Sequence, residues 1–229
     1  MADLSVTIAG VPFKNPVIAA SGCFGFGLEY EDFFPLEALG GVSLKGTTLE
    51  ARAGNRPPRI AETPAGMLNS VGLQNPGIDA FLREELPKIA GRDVVRIANI
   101  AGRSPAEYRE LAERLRGAAV DLIEVNISCP NVREGGAAFG ATCEGAVSVV
   151  REVKKAAGQP VVVKLTPAAA DIAEIARAVE SEGADAVSLI NTLLGMRIDL
   201  ESRRPVLRNN FGGLSGPALL PVALRMVWQ

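Results

Sequence analysis

The sequence predicts an α/β protein whose parallel sheet is closed into a (β/α)8 TIM barrel. Six short apolar segments of strand character alternate with segments of helical periodicity, an order typical of parallel sheets with right-handed crossovers. In a barrel all strand ends share one ligand-binding face, whereas an open doubly wound sheet binds mainly at one switch point. Each predicted strand ends in a polar residue, and these residues are Ser21, Lys45, Asn99, Asn126, Lys164 and Asn191.

Composition indicates one domain that binds a small molecule or another protein. The chain has 229 residues, 48% of them hydrophobic, enough for one sizeable core. The net charge is -2, and no dense basic run suggests nucleic acid or an anionic membrane as a partner. The apolar runs are too short to span a membrane, and the N-terminal MADLSVTIAG does not resemble a secretory signal. We therefore expect residues 1–229 to form a single cytoplasmic domain.

The cysteine and histidine counts exclude several kinds of site. Cys23, Cys129 and Cys143 form no CxxC pair, so no disulfide framework is expected. An iron-sulfur cluster held by this chain alone would lack its usual four thiolates. The chain has no histidine, which excludes a histidine base and histidine metal ligands. Proton transfer would fall to Cys, Lys, Asp, Glu or Tyr, and no metal site is expected.

Local patterns predict the individual elements. Residues 5–8 and 11–13 flank Ala9-Gly10 and predict a small N-terminal hairpin. Ser104-Pro105-Ala106-Glu107 combines an N-cap serine, a proline at the first helical position and a capping-box glutamate. The six sheet strands are predicted at 16–20, 41–44, 94–98, the run from Leu122, 161–163 and 186–190. Helices are predicted at about 29–39, 78–89, 104–117, 145–157, from Ile172 to near Gly183, and 217–229.

Two segments are too long to be simple connections. Residues 50–76 are rich in proline, glycine and arginine, and a hairpin of 60–62 with 67–69 would lead into the segment NSVGLQNPG. Such a segment is usually a lid or a binding loop, with a disordered surface insertion as the alternative. Residues 195–213 are predicted to form a long polar loop before the last helix.

The stretch LIEVNISCPN, residues 122–131, is the centre of the predicted site. Its apolar run is followed in quick succession by Asn126, Ser128, Cys129 and Asn131, and Pro130 prevents the strand from continuing. Taken alone, the stretch fits a polar turn with a buried cysteine as well as it fits a functional site.

Eight segments together resemble the dihydroorotate dehydrogenases, which are FMN-containing barrel enzymes of pyrimidine synthesis. In family order they are ASGCFGFG, SLKGTT, NSVGLQNPG, ANIAG, NISCPNVREGGAAFG, VKLTP, LINT and GGLSGP, spread between residues 20 and 217. The cysteine in NISCPN makes the chain similar to the soluble class of the family, since the membrane-bound class carries serine at the position of the base. Within the soluble class, ASGCFGFG and NSVGLQNPG are most similar to the two-subunit, NAD-linked branch. The resemblance implies oxidation of (S)-dihydroorotate to orotate.

The resemblance assigns proton transfer to Cys129. The reaction removes a proton from one ring carbon and a hydride from its neighbour, so it needs a base on one face and a flavin on the other. An unperturbed thiol has a pKa of about 8.5, close enough to neutral pH to accept a proton if the loop excludes water. The alternative for Cys129 is a small buried hydrophobic residue, which is the favoured interpretation for Cys23 and Cys143.

The resemblance also implies the ligand contacts. Lys45 matches a lysine between flavin and substrate, and Lys164 matches one near the flavin pyrimidine ring, where its charge would stabilise negative charge on the ring. For either lysine, the alternative is a strand-end cation that reaches into solvent. The implied substrate contacts are Lys45, Asn69, Gly72, Leu73, Asn126, Asn131, Asn191 and Thr192. The implied FMN contacts are Ser21, Gly22, Lys45, Thr47, Asn99, Asn126, Lys164, Ile190, Ser215 and Gly216.

One departure from the family concerns the C-terminal part. Family members continue past a helix like 217–229 into two further strand-helix units, whose glycine-rich loops hold the FMN phosphate. The resemblance therefore implies a C-terminally truncated barrel with about six of eight units and two open edges. It also implies that electrons pass to a partner subunit carrying FAD and a 2Fe-2S cluster and on to NAD, within a heterotetramer around a homodimer core.

Two other functions remain open. One is a fumarate-linked dihydroorotate dehydrogenase, or another flavin barrel that reduces a different pyrimidine-like ring. The other is an inactive truncated or assembly fragment whose site residues are inherited but idle. Flavin binding and the identity of the electron acceptor would discriminate among the three.

Overall fold

The structure, a computed structural model, describes residues 2–128 and 137–229. The chain begins with an antiparallel hairpin of β1 (Val6–Ile8) and β2 (Val11–Phe13). Ala9 and Gly10 between them both have positive φ, at 50° and 79°, as a two-residue type I′ turn requires. The N-terminal hairpin predicted from the sequence is confirmed.

A six-stranded parallel sheet is the frame of the molecule. In chain order the further strands are β3 (Ile18–Ala19), β4 (Gly41–Ser43), β5 (Ile60–Thr63), β6 (Gly66–Asn69), β7 (Val95–Ile100), β8 (Leu122–Asn126), β9 (Val161–Lys164), β10 (Ala186–Ser188), β11 (Leu193–Met196), β12 (Ile198–Asp199), β13 (Arg204–Pro205) and β14 (Phe211–Ser215). The parallel sheet has the order β10-β9-β8-β7-β4-β3. Sequential strands are mostly neighbours, and the sheet curls as an incomplete (β/α)8 barrel does. All six predicted sheet strands are present.

The helices cover one side of this sheet. They are α1 (Ile78–Ala80), α2 (Leu86–Ile89), α3 (Pro105–Leu115), α4 (Ala137–Gly140), α5 (Cys143–Ala156), α6 (Ile172–Ser181) and α7 (Leu220–Trp228), and a π-helical segment, Phe81–Glu85, joins the first two. The predicted cap of α3 is confirmed, because the Ser104 hydroxyl accepts from the backbone N–H of Glu107 at 3.3 Å. Among the helices of the described residues, none has both the length and the apolar character needed to cross a membrane.

The main core lies between the sheet and helices α3, α5 and α6. Leu111 and Leu115 of α3 and Val149 and Val153 of α5 are fully buried there. They face the β-branched side chains of β8 and β9 that point to the same side, namely Ile123, Val125, Val161 and Val163, an arrangement that the helical and strand periodicities predict. A second, smaller cluster at the amino ends of the strands contains Phe13, Ile97, Leu122 and Val162.

The helix predicted at 29–39 is wrong. The segment instead forms two 3-10 turns, Leu28–Tyr30 and Leu36–Ala38. Pro35 separates them in an extended conformation, with ψ at 137°. Because proline cannot donate a backbone hydrogen bond within a helix, Pro35 interrupts the predicted helix.

The long polar loop predicted at 195–213 is also wrong, because β12 and β13 pair with each other in its middle and two further strands lie at its ends. Strands β11 and β14 lie at its ends and pair with each other, and β14 also pairs with β6. The resulting antiparallel sheet, in the order β11-β14-β6-β5, includes the predicted hairpin of β5 and β6. It lies across the carboxyl ends of the parallel strands and forms the far wall of the site.

Candidate active site

A cavity of about 730 Å³ opens at the carboxyl ends of the parallel strands. The β5–β6 hairpin and β14 close its opposite side through residues such as Glu62, Met67 and Ser215. Its volume lies in the range of small-molecule and cofactor sites. The polar residues that end the six strands all line it, namely Ser21, Lys45, Asn99, Asn126, Lys164 and Asn191.

Hydrogen bonds join the strand-end amides into one chain. The Nδ2 of Asn126 donates to the Oδ1 of Asn99 at 3.4 Å. The Oδ1 of Asn126 accepts from the backbone N–H and the hydroxyl of Ser128, at 3.2 and 2.9 Å. The Nδ2 of Asn191 donates to the Ser128 hydroxyl oxygen at 2.9 Å and to its carbonyl at 3.2 Å. The ends of β7, β8 and β10 are therefore held in one defined arrangement.

Lys45 and Lys164 bring two positive charges to the same cavity. Lys45 follows β4, and Lys164 ends β9, where it is the register partner of Asn126. Both lysine residues are half-buried, whereas Glu62 on the opposite wall is exposed. A pair of cations beside neutral amides suits a ligand with carbonyl oxygens or a carboxylate.

A buried carboxylate, Glu124, lies beneath the cavity. It is 6% exposed, and it accepts hydrogen bonds from the hydroxyls of Ser43 and Ser188, at 2.6 and 2.8 Å, and from the Nδ2 of Asn99 at 2.6 Å. Burial alone would raise its pKa, but the charge of Lys164 and these hydrogen bonds outweigh burial and hold the pKa below its ordinary value. Glu124 is therefore ionised at neutral pH.

The segment after β6 forms one wall of the cavity. Gly72 and Leu73 both have positive φ, at 80° and 53°. Asn55 packs against Gly72, where an added Cβ would lie 2.7 Å from the Asn55 amide. The Nδ2 of Asn55 donates to the carbonyl of Ser70 at 2.8 Å. This close backbone packing makes the segment an ordered wall, which supports the binding-loop interpretation over a disordered insertion.

Most residues that the resemblance assigned to ligands meet at this cavity. Among the predicted substrate contacts, it is lined by Lys45, Asn69, Gly72, Leu73, Asn126, Asn191 and Thr192. Among the predicted FMN contacts, it is lined by Ser21, Gly22, Lys45, Asn99, Asn126, Lys164, Ser215 and Gly216.

Four predicted residues are not among those lining residues. Thr47 is buried, and its hydroxyl donates to the carbonyl of Lys45 at 3.0 Å. Ile190 packs against the main core. Cys129 and Asn131 lie outside the described residues. The roles assigned to these four residues, like those of the lining residues, stay predictions.

Several residues of the site were missed by sequence reasoning. Cys23, interpreted as a buried hydrophobic residue, is exposed and lines the cavity, because the glycine-rich turn after β3 lies at the rim. Tyr30 lines it too, and its hydroxyl donates to the Cys23 carbonyl at 2.7 Å. Glu124 had a signal in the sequence: it is an acid within an apolar strand, two residues before Asn126 and so on the same face.

Comparison with known proteins places the chain among enzymes of one family. The family model described as dihydroorotate dehydrogenase matches residues 3–229. The catalytic subunit of dihydroorotate dehydrogenase B (NAD(+)) from Shouchella clausii (strain KSM-K16) is 54% identical over 230 residues, covering 100% of the chain and 76% of that relative. The subunit of the same name from Geobacter sp. (strain M21) is 55% identical over 228 residues, covering 99% of the chain and 75% of that relative.

A solved structure confirms the fold. The crystal structure of DHODH from Eimeria tenella, in complex with ferulenol, matches with a TM-score of 0.80 and covers 98% of this chain and 68% of that one. At 22% identity this likeness shows the fold alone. The sequence relatives are longer than the chain, as the resemblance implied. With a family model over nearly the whole chain and relatives above 50% identity, the chain belongs to the dihydroorotate dehydrogenase family of oxidoreductases.

Proposed function

We propose that the chain oxidises (S)-dihydroorotate to orotate in de novo pyrimidine synthesis, with FMN as the hydride acceptor. The convergence of six strand-end side chains on one cavity, in a chain of this family, carries the proposal. Oxidation breaks C–H bonds on two adjacent ring carbons. One hydrogen leaves as a proton and the other as a hydride with its electron pair, and a C=C bond forms. Residues 1–229 would act as one barrel domain in the cytoplasm.

The chemistry of the lining residues fits FMN. When bound, FMN supplies the acceptor for the hydride. The Asn99 and Asn126 amides each have a second N–H besides the one used in the bonds described above. These N–H groups and the Lys164 ammonium can donate to the carbonyl oxygens of a flat dione ring. Gly46 keeps this region open, because a Cβ there would lie 2.7 Å from the Oδ1 of Asn99. We assign FMN binding to Ser21, Gly22, Lys45, Thr47, Asn99, Asn126, Lys164, Ile190, Ser215 and Gly216.

The remaining lining residues suit the substrate. Dihydroorotate carries a carboxylate and a ring with both carbonyl oxygens and N–H groups, so it needs a cation and groups that both donate and accept. Lys45 provides the charge, and the asparagine amides provide both kinds of hydrogen bond. We assign substrate binding to Lys45, Asn69, Gly72, Leu73, Asn126, Asn131, Asn191 and Thr192.

We assign the general base to Cys129. The residue immediately before it, Ser128, is 1% exposed, and the side chains of Asn126 and Asn191 bind its hydroxyl and backbone. These bonds hold Ser128, the residue that directly precedes Cys129 in the sequence, in one position. Its thiol would have to accept the proton from the substrate carbon, for which a correctly placed base typically contributes 10²–10⁴-fold in rate.

The reducing equivalents would leave through a partner subunit. The relatives described above are named catalytic subunits of an NAD(+)-linked enzyme, and the three cysteines of this chain do not supply the usual four cluster ligands. We therefore propose an electron-transfer partner that carries FAD and a 2Fe-2S cluster and reduces NAD. Two such pairs would assemble around a homodimer core.

An anaerobic visible spectrum tests this proposal. The full chain is mixed with FMN and then with dihydroorotate, and we expect a bound flavin band that bleaches as the substrate is oxidised. Cys129→Ser should still bind FMN but bleach at least about 100-fold more slowly, since serine is a poor base at neutral pH. Cys143→Ser is the matched control, because Cys143 starts α5 away from the cavity lining; it should bleach at the wild-type rate.

The outcomes separate the possible functions. Bleaching of Cys129→Ser at the wild-type rate would remove the base assignment. A chain that does not bind FMN, beside a full-length relative that does, would support the idle-fragment alternative. Reoxidation by fumarate without a partner subunit would support the fumarate-linked alternative.

A further inference from the structure

Glu124 occupies the middle of the barrel interior, and the proposed reaction gives it no role. Leu122, two residues before it, belongs to the apolar cluster at the amino ends of the strands. Asn126, two residues after it, lines the cavity. Because side chains alternate along a strand, the three share one face of β8. A charge between an apolar layer and a ligand site is costly unless it is paired and hydrogen-bonded.

Three side chains from three other strands satisfy this carboxylate. They are Ser43 of β4, Asn99 of β7 and Ser188 of β10. An ionised carboxylate only accepts hydrogen bonds. Asn99 must therefore turn its Nδ2 towards Glu124, and its Oδ1 then points towards Asn126. The carboxylate thus determines which way round the Asn99 amide is held.

The other end of the amide chain demands the same orientation. The backbone N–H of Ser128 is a donor that cannot reverse, so Asn126 presents its Oδ1 there and its Nδ2 to Asn99. Asn99 is 1% exposed and lies between these two fixed groups. Without the carboxylate, the Nδ2 of Asn99 would lose its 2.6 Å acceptor. The side chain would then be held at one end only.

The same carboxylate is the counter-charge of a lysine that lines the cavity. Lys164 ends β9 beside Asn126, two residues beyond the register partner of Glu124, and its charge lowers the pKa of the Glu124 carboxylate. Two proposed flavin contacts, Asn99 and Lys164, therefore depend on one buried anion that does not itself line the cavity.

We propose that Glu124 is a positioning residue of the flavin site, which fixes the Asn99 amide in one orientation and balances the charge of Lys164. The inference rests on the proposed function, because it takes the cavity to be the FMN site. The competing interpretation is purely structural: the carboxylate would tie β4, β7, β8 and β10 together without affecting the ligand.

Three variants of the full chain separate these interpretations. Glu124→Met keeps the length of the side chain and removes every acceptor. Glu124→Gln keeps an acceptor for Asn99, because its amide N–H₂ can donate to the rotatable hydroxyl of Ser188. Ser43→Ala is the matched control, since it removes one hydrogen bond to the same carboxylate and leaves the bond to Asn99 intact. FMN affinity is measured by quenching of flavin fluorescence, and Tm by thermal unfolding.

We expect affinity and Tm to change independently. Glu124→Met should weaken FMN binding about tenfold, the loss expected when a misplaced Asn99 amide no longer makes one hydrogen bond to the ligand. Glu124→Gln should fall between Glu124→Met and wild type. Ser43→Ala should lower Tm but bind FMN within about twofold of wild type, because the hydroxyl that is lost does not line the cavity. Wild-type affinity in Glu124→Met, or a loss that follows Tm in all three variants, would overturn the proposal.

A ligand-free readout keeps this test separate from the proposed function. Side-chain amide signals of Asn99 are recorded by NMR on the ligand-free chain with ¹⁵N-labelled asparagine. We expect one sharp pair in wild type and in Ser43→Ala, and a shifted or broadened pair in Glu124→Met. If wild type binds no FMN, the proposed function fails, and the amide signals still decide: unchanged signals in Glu124→Met would overturn the positioning role.

Discussion

Helices α5 and α7 are both amphipathic, yet the structure covers them very differently. Five residues of α5 are buried, and it packs against α3 and α6 on its two flanks. None of the residues of α7 is buried, and Leu224 and Trp228 are 60% and 91% exposed. The strands show the same contrast, since every residue of β8 is buried and none of β10 is. A barrel helix is buried by its neighbours on both sides, so its own apolar pattern does not set its contribution to stability.

The largest effect is expected in the buried core between the sheet and helices α3 and α5. Leu111→Ala in α3 removes a fully buried side chain between the sheet and α5. It should lower the free energy of unfolding by about 3 kcal/mol, the cost of lost burial plus an unfilled cavity. Urea unfolding followed by circular dichroism measures this. A loss below about 1 kcal/mol would mean that the core around α3 and α5 is no better packed than the exposed region around α7.

A smaller effect is expected where this core meets the site. The hydroxyl of Tyr108 in α3 donates to the backbone carbonyl of Asn126 at 2.8 Å, and the residue is fully buried. Tyr108→Phe keeps the ring and removes the donor, so it should cost about 1 kcal/mol of stability. It should also weaken FMN binding slightly, because the end of β8 loses one anchor. Equal stability of the two proteins would show that the carbonyl finds another donor.

An ion pair between Arg92 and Glu37 stabilises the β3 side of the sheet. The free energy that this pair contributes to folding depends on pH. The guanidinium of Arg92 donates to the Glu37 carboxylate and lowers its pKa to about 2. Because the folded pKa is lower than the unfolded one, the interaction stabilises the protein above about pH 4.5 and is lost as the pH falls towards 2. Glu37→Gln should therefore differ from wild type at pH 6 and converge with it at pH 2 to 3. The difference should be small, because the pair is partly exposed.

The smallest effect is expected in α7, the exposed helix. Leu224→Ala in α7 makes the same chemical change as Leu111→Ala, at a position that is 60% exposed. It should change the free energy of unfolding by less than about 0.5 kcal/mol. A loss as large as that of Leu111→Ala would show that α7 is covered in solution, and that the contrast between the two regions does not hold.

The elements predicted correctly are those with local causes. The helix predicted at 104–117 is found at Pro105–Leu115, since Ser104 and Glu107 cap its start within one turn. The helix predicted at 145–157 is Cys143–Ala156, with Thr142 as its cap. Caps and apolar periodicity act over a few residues, and they are therefore legible in a single sequence.

The strands that were not predicted form because they pair with residues far away in the sequence. Residues 211–215 contain two glycines and read as a loop, but they pair with β6, more than 140 residues earlier in the chain. Gly212 is required by that pairing, because a Cβ there would lie 2.7 Å from the backbone oxygen of Asn69 in β6. Gly213 is required by the other neighbour of β14, because a Cβ there would lie 2.0 Å from the hydroxyl oxygen of Thr192, directly before β11. Strand propensity is too dependent on its partner strand to predict such an element from its own sequence.

The site was predicted in part for similar reasons. The convergence of the strand ends follows from parallel topology alone, so Lys45, Asn126 and Lys164 could be placed together from the sequence. The hydrogen bonds of Glu124 could not, because its donors come from three strands whose register the sequence does not give. The proposed base, Cys129, lies outside the described residues, and its assignment depends on the resemblance and on the experiment above.

The alternation along β8 also bears on how this protein can change. Ile123 and Val125 face the helices, while Glu124 and Asn126 face the barrel interior. Substitutions at the first pair can therefore be compensated by repacking helices, with the second pair untouched. A one-residue insertion or deletion in the strand has no such freedom, because it would turn the acid towards the helices and an aliphatic side chain towards the ligand. Evolution of β8 is therefore limited to substitutions that keep the length of the strand. Its helix-facing residues can vary in this way, while the residues that face the ligand site stay the same.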